Sequence, residues 1–139
     1  SKNSLSTGAA LEYAVKNLRV KDIIVLGHAH CGGVAALCNK INNNKADTKE
    51  QLTDFIEGWV DIAKPALSKI DFNDKKENIE VKSERAFVVY SYNNLLTYPW
   101  IYNAINKKIL EIHAWWLDFK SVTLWKKAKE SDAFRPMEF

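Results

Sequence analysis

Cysteine is scarce in this sequence: of 139 residues only Cys31 and Cys38 carry a thiol. Two thiols make no disulfide framework, so stability has to come from a buried core. Long apolar runs are also missing. None approaches the ~18 residues that a membrane span requires, which argues against a bilayer-embedded protein. Nor is there an excess of one charge. Twenty basic against seventeen acidic residues leave a net charge of +3. Lysine pairs such as Lys75-Lys76, Lys107-Lys108 and Lys126-Lys127 are scattered along the chain. A nucleic-acid surface needs such charges gathered on one face, so no nucleic-acid partner is expected. What remains is the make-up of an ordinary globular chain, 47% hydrophobic and 27% charged, long enough for one domain (1–139). The expected location is cytoplasmic.

The informative stretch is Asp22-Ile23-Ile24-Val25-Leu26-Gly27-His28-Ala29-His30-Cys31-Gly32-Gly33. Four consecutive apolar residues, Ile23 to Leu26, predict a strand buried on both faces and therefore parallel, ended by Gly27. A strand that stops in such a turn delivers functional groups to the carboxyl edge of a sheet, where open α/β folds bind ligands. His28 and Cys31 form a His-x-x-Cys pair, and imidazole and thiolate are both good zinc donors. The pair alone leaves another reading open, a turn histidine bonded to backbone beside a small buried cysteine. An anion-binding strand–helix turn without metal is a further alternative.

Around this stretch the pattern is that of an α/β domain. Ala9, Leu11, Ala14, Val15 and Leu18 recur at helical spacing and predict a helix over Ser4 to Asn17. Helix–strand–turn–helix is the repeating unit of a parallel sheet. A second helix is expected over Val34 to Ile41, with Cys38 a buried, purely structural side chain on it. Leu52, Phe55, Ile56, Trp59, Val60 and Ala63 trace a third helical face, and Pro65 marks its end or opens a short helix. Asp71 to Lys76 reads as a loop. Over Glu84 to Tyr98 two readings collide, strand propensity at Ala86 to Tyr90 and helical spacing of Val88, Tyr92, Leu95 and Leu96. The helix is expected, because propensity is the weaker guide. Pro99 opens a turn over Trp100 to Asn106. Ile109 to Trp116 predicts a second strand that contains His113, expected to be structural, and sets Trp115 and Trp116 on opposite faces. Val122 to Trp125 and Phe134 to Phe139 read as edge structure closing the domain.

Three blocks together resemble the β-class carbonic anhydrases: Ala10 to Val25 with Gly27-His28-x-x-Cys31-Gly32-Gly33, then Asn94-Leu95-Leu96-Thr97-Tyr98-Pro99-Trp100, then Leu110 to Asp118. The resemblance implies a mainly parallel central sheet flanked by helices. It also implies a Zn2+ cofactor and reversible hydration of carbon dioxide to bicarbonate by a zinc-bound hydroxide. His28 and Cys31 match two of the family's three protein ligands. Gly32 and Gly33 match the substrate-facing turn, where missing side chains let substrate approach the metal. The third ligand belongs to a Cys-x-Asp-x-Arg motif whose Asp and Arg control access to the metal. This sequence contains no such motif, so the chain is expected to be an N-terminally incomplete copy of a longer enzyme, poorly soluble and inactive alone. A catalytically inactive binding or scaffold subunit is the alternative. In some members a tyrosine that helps hold a regulatory bicarbonate stands where this chain has Leu117, so that regulation is in doubt. The family forms dimers and pairs of dimers. Five tryptophans, Trp59, Trp100, Trp115, Trp116 and Trp125, are more than one side of a small sheet readily hides, so at least a homodimer is expected.

Overall fold

In the computed structural model, residues 5–42 and 54–138 are described. The order is α1 (Leu5–Lys16), β1 (Asp22–His28), α2 (Gly32–Asn42), α3 (Asp54–Ala63), a 3-10 turn (Lys64–Leu67), α4 (Lys76–Leu95), α5 (Pro99–Asn106), β2 (Glu111–Asp118), β3 (Thr123–Lys127) and β4 (Phe134–Pro136). The four strands form one sheet in sequence order. β1 and β2 run parallel, with Asp22 opposite Glu111 and His28 opposite Leu117. β3 and β4 continue antiparallel. The α/β class is as expected, while among the described residues parallel pairing is confined to β1–β2. The short connection from β2 to β3 explains this, since only antiparallel neighbours can be joined by a tight turn.

The helices cover one face of the sheet. Leu11 and Val15 of α1 are one helical turn apart and pack on a core of Leu95, Ile101, Ala104 and Leu110. Ile23 and Val25 of β1 and Ile112 of β2 meet the same cluster. A second cluster joins Leu37 of α2, Ala63 and Leu67, with Cys38, Phe72 and Phe87 against it. Cys38 thus packs as an apolar side chain, and burial pushes its thiol pKa up.

Several boundaries differ from the sequence expectation. β1 alternates exposed and half-buried residues along its length, and Ile24 and Leu26 are 46% and 55% exposed. It is an edge strand with one covered face, because Ile23, Val25 and Gly27 face the helices while, among the described residues, no element covers the other side. Gly27 does not end it; pairing continues through His28. α4 begins at Lys76, and its 20 residues stop at Leu95 rather than Tyr98. There Leu96 and Thr97 switch to bonds with carbonyls three residues back, and Tyr98 is extended ahead of Pro99. β2 starts at Glu111 rather than Ile109. Lys108 takes a left-handed φ of 56° and leaves Ile109 63% exposed. The expected face from Leu52 begins outside the described residues, and α3 starts at Asp54.

The tryptophans are better hidden than expected. Trp116 is buried, and Trp116 and Trp125 sandwich the Arg85 guanidinium at 4.4 and 4.5 Å. Trp100 packs on Tyr98, and only Trp59 of the five is exposed.

Candidate metal centre

The His28–Cys31 loop is held by three elements at once. From β2, the Leu117 carbonyl accepts the Ala29 N–H at 2.8 Å, which carries the parallel ladder one residue past β1. From α4, the Glu84 carboxylate accepts the Cys31 N–H at 3.2 Å through Oε1. Toward α2, the Cys31 carbonyl accepts the Ala35 N–H at 2.9 Å and starts the helix. Between them His30 adopts a left-handed φ of 54°, unusual for a residue with a Cβ. That turn brings the His30 and Cys31 N–H groups to the same carboxylate.

Glu84 is the residue that sequence reasoning missed. It is 4% exposed, and its second oxygen accepts the indole N–H of Trp116 at 3.1 Å. One carboxylate therefore ties the loop to the middle of β2. Burial pushes its pKa up, and the bonds from Cys31 and Trp116 pull the other way. A usable signal existed: an acid on the apolar face of a predicted helix. Such a group is rarely buried without bonding partners.

The two expected donors stand at either end of this loop, His28 closing β1 and Cys31 preceding α2. The Nδ1 of His28 lies 3.0 Å from the Ala29 carbonyl oxygen, so Nδ1–H donates there and the Nε2 lone pair remains for a metal. The ring is braced by Phe119, with centroids 5.4 Å apart. Cys31 is half-buried and in no disulfide. Both arise from the carboxyl end of β1 and the turn into α2, so the sheet and helix set their separation.

The glycines around this loop have different tasks. A Cβ on Gly27 would lie 2.3 Å from Val88 Cγ2, so α4 crosses β1 only because that side chain is missing. A Cβ on Gly33 would stand 2.9 Å from the Trp59 ring, whereas Gly32 faces open space. Of the two glycines expected to face substrate, Gly32 has open space around it and Gly33 lies against an aromatic ring. His113 is not in this loop; its Nε2 pairs with Asp22 at 2.8 Å.

A parallel strand pair ending in a His-x-x-Cys loop, clamped by a buried acid from a covering helix, defines an α/β domain with its candidate site at the sheet edge. Comparison with known proteins makes this specific. The carbonic anhydrase family profile matches residues 1–124. Beta carbonic anhydrase 3 of Arabidopsis thaliana is 38% identical over 126 residues, covering 87% of this chain and 47% of its own length. The chain thus spans about half the length of that curated relative. Among solved structures, the beta-carbonic anhydrase CcaA superposes with a TM-score of 0.77 at 22% identity, over 94% of this chain and 62% of that one. A tetrameric beta-carbonic anhydrase of the filamentous ascomycete Sordaria macrospora gives 0.71 at 24% identity, over 88% and 59%. The chain belongs to the β-class carbonic anhydrases.

Proposed function

We propose that this chain supplies the histidine and one cysteine donor of a zinc centre that reversibly hydrates carbon dioxide to bicarbonate and a proton. The observation that carries this is the His28 geometry, with Nδ1 engaged by the Ala29 carbonyl and Nε2 left for a metal, in the same loop as Cys31. When bound, zinc supplies a hydroxide nucleophile near neutral pH by lowering the pKa of its water.

The chain's own residues do the rest. Glu84 fixes the Cys31 backbone, and Phe119 limits rotation of the His28 ring. The open side of Gly32 leaves a path for a small linear substrate. The N–H groups at the start of α2 favour a bicarbonate anion there. His28 and Cys31 are two protein donors, and a catalytic zinc site uses about three. The third, with the Asp–Arg pair, belongs to the family's Cys-x-Asp-x-Arg motif. Activity is therefore assigned to the protein that carries both parts, assembled as a homodimer or pair of dimers. No observation favours an inactive scaffold instead.

The test is stopped-flow carbon dioxide hydration on two proteins, the 139-residue chain and a version extended through a Cys-x-Asp-x-Arg segment. The extended protein is expected to be active with zinc and inactive after chelation, and the short one inactive. Robust zinc-dependent turnover by the short chain would overturn this account of the site.

A further inference from the structure

The opposite end of the parallel strand pair gathers three side chains with metal-ligating atoms, away from the His28–Cys31 loop. Asp22 opens β1 and Glu111 opens β2, and the parallel register sets them directly opposite one another. His113 lies two residues beyond Glu111, so all three side chains leave the same face of the sheet. One donor atom from each lies within 4.8 Å of the others, and the Nε2 of His113 is 2.8 Å from Asp22 Oδ1. Neighbouring donors around an octahedral ion are separated by roughly 3 Å, so that spacing is already a ligand spacing.

Two features separate this group from ordinary surface acids. The first is the imidazole, whose side chain is only 16% exposed and packs on Trp115, with centroids 5.9 Å apart. It is a positioned donor rather than a mobile one. The second is a carboxylate without a partner among the described residues, set opposite another carboxylate. Like charges directly opposed across a strand pair are destabilising. Among the described residues, Asp22 has the imidazole as its one side-chain partner, and the Glu111 carboxylate has no hydrogen bond or ion pair. A divalent cation removes that repulsion, and backbone pairing holds the donors in place.

We infer that Asp22, Glu111 and His113 bind a first-row divalent cation of the Mn2+ type, with water completing its coordination. Two carboxylates and one imidazole suit such an ion, whereas the thiolate of Cys31 selects a softer one. This difference lets the two sites be tested apart. The experiment is a titration of the protein with Mn2+ near pH 7, following free Mn2+ by electron paramagnetic resonance. One ion per chain is expected, both in the native protein and in Cys31→Ser. Glu111→Gln and His113→Gln are each expected to weaken binding by about tenfold or more. Glu111 is exposed, so Glu111→Gln is expected to keep the fold and, without metal, to melt no lower than the native chain. No uptake up to millimolar Mn2+, or equal uptake in native protein and Glu111→Gln, would overturn the assignment. Loss of uptake in Cys31→Ser as well would place the ion at the other end of the strand and equally overturn it.

Discussion

At the scale of single residues, the His28–Cys31 loop is held by groups outside the His-x-x-Cys pair. His28 and Cys31 are expected to hold zinc in the folded protein. Metal analysis should show zinc sharply reduced in Cys31→Ser, and full retention in the double variant His28→Ala, Cys31→Ser would refute the assignment. Glu84 makes a less obvious prediction. Glu84→Gln keeps the shape but turns one acceptor into a donor, leaving either the Cys31 N–H or the Trp116 indole unpaired. An unsatisfied buried donor costs about 1–3 kcal/mol, which should appear as a lower denaturation midpoint. Zinc should also dissociate faster, since the Cys31 backbone loses its anchor. An unchanged dissociation rate would mean that Glu84 serves the fold and not the site.

At the scale of elements, the crossing of α4 over β1 is the contact that makes the site possible. It rests on the absence of a side chain at Gly27, where a Cβ would lie 2.3 Å from Val88 Cγ2. Gly27→Ala should destabilise by about 1–3 kcal/mol through overpacking, and adding Val88→Ala should recover part of that loss. Additive effects in the double mutant would show that the two positions do not meet. The start of α4 carries a pH dependence. Asp74 bonds Lys82 at 2.6 Å, Asn78 at 3.0 Å and the Lys75 N–H at 2.8 Å. These bonds, that to Lys82 foremost, hold its carboxyl at about 2 against an ordinary 3.8. A depressed carboxyl pKa stabilises the fold above the unfolded value and loses that contribution as pH falls toward the folded one. Acid unfolding should therefore steepen between about pH 4 and pH 2 in the native chain and less so in Asp74→Asn. Identical acid limbs would count against it.

At the scale of the whole molecule, the sheet is covered on one face only. Ile24, Leu26 and Phe119 stay exposed on the other side, where a solvated sheet would carry polar residues. Apolar surface of this kind marks an interface. The prediction of a dimer therefore rests on the aliphatic face of β1 rather than on tryptophans. Light scattering at micromolar concentration should give at least twice the monomer mass, with Leu26→Lys shifting it toward monomer. A clean monomer from the native protein would rule the interface out.

Much of this protein was legible in residue order alone. The apolar run followed by His-x-x-Cys located the end of β1 and the turn into α2, because a strand end and a tight turn are local features. The helical periodicity of α1 and α2 and the strand character of β1 and β2 are equally local, and each formed close to where the pattern put it. What the sequence could not decide was anything that depends on which face of an element finds a partner. Ile23 to Leu26 looks the same whether it is covered on two sides or one, and only the packing of α1, α4 and α5 showed it to be one. Glu84 stands 53 positions from Cys31, and nothing in the order of residues joins them. The join is made by α4 lying across β1, which Gly27 permits. His113 read as structural from the sequence, and only the parallel register set it beside Asp22 and Glu111. Local spacing determines what a segment can bind, but only tertiary contact decides which distant side chains hold it in place.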